Sequence, residues 1–364
     1  MESTNNKIFS SIAGILTAIP IYIVQEPYYA LPFLISIFHL FFGNFAPQDR
    51  LKIYAFTLLV ILVLFSNIVG TLQGYMTISI PSVFYFLTTA FILAFAHNTI
   101  DLNQFLRWFL IAVKLIALYV IFLFFGDAAL SGSFHNITTS EGRMWAVDRV
   151  LGWPNGFAIV TSIAAYLCFV RNEKLWSFFL ISAALITFSR MAMVFFVVLF
   201  FLQAFALFRF RILIPLFILF VFYLVPFLYD IYITNEELLY RIFKYSDRLI
   251  ILNNLLETYS QSPVFGIGNV SYTEISLNDI YDSYHSTFLK VLIRYGPFGI
   301  FLFILLLIPN KKSRLFSLRS ILLMVLLFLA IPQDYLLLPS IALLYSLVAN
   351  TDLLLNASLK EIKK

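Results

Sequence analysis

Three side chains of this sequence have the chemistry to bind and transfer a phosphate-linked group. Arg190 is the only formally charged residue between Leu175 and Phe208, a run of 34 residues. An arginine in such a run is energetically costly, and its planar guanidinium can donate to two phosphate oxygens at once. Arg248 and His285 lie in a later polar stretch and would add a second cation and a base. The pattern indicates a phosphate-bearing substrate reached from a membrane.

Each of these residues also has a structural interpretation. Arg190 can extend to lipid headgroups and anchor a helix end, and Arg248 can pair locally with Asp247. His285 can simply cap a helix start. The functional interpretation of Arg190 is favoured because membrane proteins rarely keep an idle arginine on the outer side. His285 is the candidate general base, since Asp282, three residues earlier, is placed to orient it.

Four further side chains are candidates for binding the same substrate. Ser189 immediately precedes the first of these arginines and adds a hydroxyl donor. Arg143 and Arg149 flank a short tryptophan-containing segment and would supply further phosphate or sugar contacts. Arg294 lies beside 295–299, where two glycines and a proline predict a broken helix. It is expected either to line a cavity or to be structural.

Several common catalytic devices are absent from the sequence. It has no Walker A loop, no HExxH and no DxD, so neither ATP hydrolysis nor a metal-assisted nucleotide-sugar donor is indicated. The single cysteine, Cys168, lies in an apolar run and allows neither an internal disulfide nor a thiolate metal cluster. We therefore expect no metal and no cofactor.

The elements that must position these residues are membrane helices. Of 364 residues, 61% are hydrophobic and only 12% charged, which excludes an ordinary soluble domain. We predict an all-α polytopic membrane protein of about twelve transmembrane helices, with eleven to thirteen compatible with the shorter runs. The predicted spans are 9–24, 28–45, 51–70, 78–97, 105–125, 151–170, 175–189, 191–208, 212–229, 286–308, 320–331 and 338–350.

Positive charges set the orientation of these spans. Basic residues occupy every second connection, and the positive-inside rule makes those connections cytoplasmic. They are Arg50, Lys52, Arg107, Arg171, Lys174, Arg209, Arg211, Lys311, Lys312, Arg314 and Arg319. Both termini are therefore expected in the cytoplasm, and the net charge of +5 reflects topology, with no nucleic-acid partner indicated. Lys114, inside the fifth span, is expected to be paired or to face a cavity.

We predict one integral membrane domain, 1–364, with two larger loops on the outer, periplasmic face. They are 126–150 and 230–284, and loops of this length are usually functional or disordered. Within the second, 247–257 has apolar residues at helical spacing and predicts an amphipathic helix on the membrane surface. The glycines of 263–268 then predict a tight turn.

The order of these motifs resembles the O-antigen polymerase and O-antigen ligase superfamily of bacterial inner-membrane glycosyltransferases. The matching pieces are Thr187–Arg190, Asp247–Arg248, Pro263–Gly268, His285 and Leu292–Gly299. They extend over about 143–303, and the five N-terminal spans carry no matching motif. Ser286 departs from the pattern, because many relatives have asparagine after the histidine.

The resemblance implies a function in lipopolysaccharide biosynthesis. The donor would be a glycan linked through diphosphate to undecaprenol and presented at the periplasmic face of the inner membrane, among membrane lipids. Arg190 and Arg248 would grip the diphosphate leaving group, and His285 would deprotonate the acceptor hydroxyl, giving inversion without a metal. The short chain without a large added domain favours a polymerase, whose acceptor is a second lipid-linked oligosaccharide and whose expected partner is a chain-length regulator.

The alternatives differ in what happens to the same lipid-linked sugar. A ligase would transfer the glycan to lipid A core, and a flippase would only move the lipid across the membrane. Against a flippase, the two halves show no internal repeat and the long loop lies on one face. A purely structural scaffold would leave the outer arginines unexplained.

Overall fold

The computed structural model describes residues 2–18, 50–72, 77–78, 80–96, 100–131, 154–186, 259–260, 262–271, 286–309, 318–330, 335–337 and 339–350. The α-helices within these residues are α1 (Glu2–Ala18), α2 (Arg50–Leu72), α3 (Ile80–Phe95), α4 (Leu102–Ser131), α5 (Pro154–Val170), α6 (Lys174–Ile186), α7 (Thr287–Leu307), α8 (Leu318–Leu329) and α9 (Pro339–Asn350). A short 3-10 helix, Tyr335–Leu337, precedes α9. Two short strands, β1 (Thr77–Ile78) and β2 (Val270–Ser271), complete the described elements.

The described helices confirm a helical membrane protein. Three of them are long and apolar enough to cross a membrane by length and composition: α2, the Leu102–Leu123 part of α4, and α7. The pairing of β1 with β2 is the one departure from all-helical structure among the described residues. The count of about twelve spans stays a prediction, because three predicted spans, 28–45, 191–208 and 212–229, lie outside the described residues.

The two predicted outer loops are described in part. Helix α4 includes Gly126–Ser131, the first six residues of the loop predicted at 126–150. Of the loop predicted at 230–284, only 259–260 and 262–271 are described. The rest of both loops, including the predicted amphipathic helix 247–257, lies outside the described residues.

One end of the helix bundle gathers several connections and is called the loop end here. Strand β1 connects α2 to α3 in sequence, and it pairs antiparallel with β2, which belongs to the long loop before α7. At the same end, the Thr287 amide at the start of α7 donates to the carbonyl of Ala330, just after α8. In the orientation predicted from the basic residues, all these connections lie on the outer face of the membrane. The described hydrogen bonds therefore agree with the order of the spans along the chain.

Burial distinguishes helices inside the bundle from helices at its surface. In α5 every side chain from Phe157 to Cys168 is buried, as expected for a helix surrounded by others. Helix α2 instead exposes a stripe at intervals of three or four residues, whereas its opposite face is buried against the core. The exposed residues of this stripe are Tyr54, Leu58, Ile61, Phe65, Ile68 and Leu72. Such an apolar stripe is a face for lipid, apart from Phe65, whose ring also packs on Phe265.

Helices α1 and α4 run in the same direction and pack closely around a glycine. The amide of Asp101 donates to Ser10 Oγ at 2.8 Å. A Cβ built on Gly14 would lie 2.4 Å from the carbonyl oxygen of Phe105. Phe105 and Phe109 are fully buried and stack with ring centroids 5.9 Å apart. Small residues allow such close backbone approach, which is a main source of helix association in membranes.

Gly14→Ala should destabilise the protein by about 1–3 kcal/mol, because the added methyl overpacks the contact between α1 and α4. Gly126→Ala is the matched control, since Gly126 is also helical and nothing lies within 4 Å of its built Cβ. This control should melt at or slightly above the wild-type temperature. The measurement is the fraction of purified protein that stays monodisperse in detergent after heating. Equal melting of the two variants would contradict the close packing.

Candidate active site

Most of the side chains predicted to act on the substrate lie outside the described residues. They are Arg143, Arg149, Ser189, Arg190, Arg248 and His285. Their roles stay predictions. The structure does describe Arg294, the helix around it, and the glycine-containing segment that ends the long loop. These parts, which include the predicted substrate-binding residue Arg294, are called the framework below.

Helix α7 is broken near its middle, as the sequence predicts. Gly296 has φ 68° and ψ −172°, and Pro297 follows it. Proline has no N–H, so the carbonyl four residues earlier, at Ile293, loses its helical donor. The neighbouring carbonyl of Arg294 is released by the same break. An apolar helix therefore contains two backbone oxygens that need donors from elsewhere.

The segment Ser262–Ser271, called the clamp segment below, supplies those donors. The amide of Ile267 donates to the Ile293 carbonyl at 2.9 Å, and the amide of Gly268 donates to the Arg294 carbonyl at 2.8 Å. A further bond, from the Gly266 amide to the Ser262 carbonyl at 2.9 Å, closes the turn within the segment. The predicted turn and the predicted helix break are thus two halves of one contact.

Three glycines make this contact sterically possible. Gly266, Gly268 and Gly296 have φ of 70°, 74° and 68°, a region that side chains with a Cβ rarely adopt. A Cβ on Gly266 would lie 2.4 Å from the Arg294 carbonyl carbon, and one on Gly296 would lie 2.1 Å from the Val264 oxygen. The glycines of both motifs therefore allow two backbones to touch.

Helix α2 holds the clamp segment from its other side. Ser66 Oγ donates to the carbonyl of Phe265 at 2.6 Å, and Asn67 Oδ1 accepts from the amide of Asn269 at 2.7 Å. Asn269 Nδ2 donates to the hydroxyl of Tyr295, beside the break in α7. Sequence reasoning missed this helix as part of the framework. The sequence feature that could have indicated its role is the pair of adjacent polar residues, Ser66 and Asn67, in the second half of an apolar span.

The start of α7 fixes the chain immediately after the predicted base. Ser286 is buried and is the N-cap of α7, with its Oγ accepting from the Leu289 amide at 3.5 Å. Serine and asparagine are both strong N-cap residues. Ser286, which stands where many relatives have asparagine, therefore keeps the capping function. His285 directly precedes this cap in the sequence.

Arg294 is a partly buried cation beside a rigid anchor. Its neighbour Tyr295 is fully buried, packs on Phe86 with ring centroids 4.4 Å apart, and hydrogen-bonds Asn269. No carboxylate among the described residues forms an ion pair with Arg294. Its guanidinium is thus not neutralised by the described residues, and its predicted contact with phosphate or sugar stays a prediction.

Lys114, by contrast, is paired, which confirms one of the two arrangements expected for it. Its ammonium forms a salt bridge with Glu173 in the turn between α5 and α6. It also lies 4.9 Å from the centre of the Trp176 ring, a cation–π distance. Because its ammonium already contacts Glu173 and Trp176, Lys114 connects α4 to α6 and is not a candidate for binding phosphate.

A known family profile matches part of the chain. Residues 175–304 match the family profile Wzy_C, described as O-antigen ligase. No curated protein and no solved structure matches the chain. The matched segment contains Arg190, Arg248, His285, Arg294 and the clamp segment. The match confirms, over these residues, the resemblance to the O-antigen polymerase and ligase superfamily.

Gly296→Ala should destabilise the protein by about 1–3 kcal/mol, through the strain of positive φ and the clash with the Val264 carbonyl. Gly126→Ala again serves as the control. The measurements are thermal unfolding in detergent and limited proteolysis of the long loop. Proteolysis should be faster in the variant, because the clamp segment loses its contact with α7. Wild-type melting and proteolysis of the variant would contradict the described contact.

Proposed function

We propose that this protein is an O-antigen polymerase, a glycosyltransferase that joins undecaprenyl-diphosphate-linked repeat units at the periplasmic face of the inner membrane. The observation that carries the proposal is the family match over residues 175–304, which contains the two arginines and the histidine singled out by their chemistry. The apolar helices provide the membrane setting that such a lipid-linked donor requires.

The reaction breaks the bond between the anomeric carbon of the donor glycan and its diphosphate oxygen. Negative charge grows on the diphosphate as that bond breaks, and Arg190 and Arg248 stabilise it as fixed bidentate donors. Ser189, Arg143, Arg149 and Arg294 supply further contacts to phosphate or sugar. The arginines provide the positive charge that a metal ion provides in many nucleotide-sugar enzymes.

The new bond forms between the same anomeric carbon and a hydroxyl oxygen of the acceptor sugar. His285 takes the hydroxyl proton as the oxygen attacks from the face opposite the diphosphate, so the anomeric configuration inverts. The products are a longer glycan on the acceptor lipid and free undecaprenyl diphosphate. A chain-length regulator in the same membrane is the proposed partner.

Two alternative functions, ligation and transport, act on the same lipid-linked sugar and differ in what happens to it. Ligation to lipid A core is favoured by the description of the matched family as O-antigen ligase. Transport of the lipid-linked sugar would need the buried charges but no base at His285. The acceptor that is consumed therefore distinguishes the three functions.

The direct test is to incubate the purified protein with undecaprenyl-diphosphate-linked repeat units in detergent and to size the glycans on a gel. The wild type should yield a ladder, and Arg190→Ala should lose it, because the leaving group is no longer stabilised. Arg171→Ala, an exposed arginine between α5 and α6, is the matched control and should keep the ladder. Product only with lipid A core would establish a ligase. The same protein reconstituted in liposomes would reveal a flippase if it moved the lipid across the bilayer without forming product.

His285→Ala should lower the transfer rate by roughly 10²–10⁴-fold with folding intact, since general base catalysis contributes about that factor. The rate is measured on protein that elutes as wild type in size-exclusion chromatography. His97→Ala, which changes a histidine in the connection between α3 and α4, should leave the rate unchanged. A near-normal rate in the His285 variant would refute its assignment as the base.

A further inference from the structure

We infer that the clamp segment is a fixed re-entrant element of the membrane domain and that Asn67 of α2 is a positioning residue for the transferase. The inference rests on the proposed function for its catalytic consequence and on the described contacts for its geometry. It extends the active-site framework to a helix outside the family match, which begins at residue 175.

The depth of the contact makes the clamp segment re-entrant. Gly296 lies nine residues after the first residue of α7, which corresponds to about 14 Å along a helix. On α2 the same contact is shallower, because Asn67 lies five residues before Leu72, about 8 Å from that helix end. The contact therefore lies about 8–14 Å inside the ends of the two helices, within a hydrocarbon core of ~30 Å. The clamp segment reaches this level from the loop end, and β2 at its end returns to pair with β1. The clamp segment thus lies between α2 and α7, with β2 at its loop-end side.

Backbone at this depth must find all its hydrogen bonds within the protein. The described bonds of the clamp segment run in both directions, although Asn269 Oδ1 is buried without a partner among the described residues. Its amides at Ile267 and Gly268 satisfy the carbonyls freed in α7, and its Phe265 carbonyl accepts from Ser66. Ile267, Gly268 and Asn269 are buried. If the clamp segment separated from α7 and α2, backbone N–H and C=O groups would lose their hydrogen bonds. We therefore expect this contact to stay closed during turnover.

Asn67 connects this element to α2 with both ends of its amide. Its Nδ2 donates to the Val63 carbonyl at 2.7 Å, which fixes the side chain on its own helix. Its Oδ1 then accepts from the Asn269 amide at 2.7 Å. The side chain is 3% exposed, so water does not replace either bond. Asn269 passes the connection on to Tyr295, the neighbour of Arg294.

The catalytic consequence follows from the chain between the clamp segment and α7. The 14 residues 272–285, which include His285, begin at β2 and end at the N-cap Ser286. The two described neighbours of this stretch are both anchored, β2 by pairing with β1 and Ser286 by capping α7. Asn67 holds the clamp segment, which leads into β2, and through Asn269 it is also connected to Tyr295, the neighbour of Arg294. Its loss should therefore lower the rate of transfer more than it weakens binding of the donor.

The geometry can be tested without any substrate. The rings of Phe65 and Phe265 lie with centroids 4.8 Å apart, so Phe65→Cys with Phe265→Cys in a Cys168→Ala background should cross-link in membranes with copper phenanthroline. Leu58→Cys with Phe265→Cys is the matched control, because Leu58 also faces outward from α2 and lies about 10 Å further along it. No cross-link in the first pair, or equal cross-linking in both, would overturn the re-entrant placement.

The same cross-link tests whether the element is fixed. The cross-linked protein should transfer glycan at the rate of the same variant after reduction, because no opening is required. A rate that falls on cross-linking and returns on reduction would show a moving lid and overturn the inference. If the wild type transfers no glycan, the proposed function fails, whereas the cross-linking result still decides the placement.

The positioning role is tested by Asn67→Leu, which removes both hydrogen bonds at similar size. We expect kcat per folded molecule to fall about tenfold, the rate equivalent of one lost hydrogen bond, with the donor KM within about twofold of wild type. Asn67→Asp keeps an acceptor oxygen and should recover part of the rate. Asn103→Leu, at an exposed position early in α4, is the control. Unchanged kcat, or a change in KM alone, would overturn the positioning role.

Discussion

The structure around the predicted active site depends on one constraint: peptide groups inside a membrane need hydrogen-bond partners within the protein. The break at Gly296 and Pro297 frees the carbonyls of Ile293 and Arg294 in an apolar helix. The amides of the clamp segment satisfy both. The irregular helix and the irregular loop are therefore stable only together, and the position of one determines the position of the other.

This dependence explains why residues far apart in the sequence form one framework. Gly266 and Gly296 remove side chains from the contact between the clamp segment and α7, and Gly268 does the same where the segment meets Asn67 of α2. Helix α2 then closes the contact from the opposite side through Ser66 and Asn67. The N-terminal part of the chain, which shows no recognisable motif, thus supports the segment that matches the family.

Two basic side chains of the described helices, Lys114 and Arg294, differ in their surroundings. Lys114 is engaged by Glu173 and Trp176 and connects helices, as a cation inside a membrane protein usually does. Arg294 has no carboxylate partner among the described residues and lies beside a buried, hydrogen-bonded tyrosine. In the proposed function, Arg294 is the one of the two that contacts the substrate.

The sequence by itself determined the membrane class, the approximate helices, the break in α7, the turn before β2 and the superfamily resemblance. These follow from local properties such as hydropathy, charge and the conformational limits of glycine and proline. Only the tertiary structure showed that the break and the turn bind each other and that α2 holds them. Those hydrogen bonds join residues 199 and 202 positions apart, and no local pattern encodes which polar groups will meet after folding.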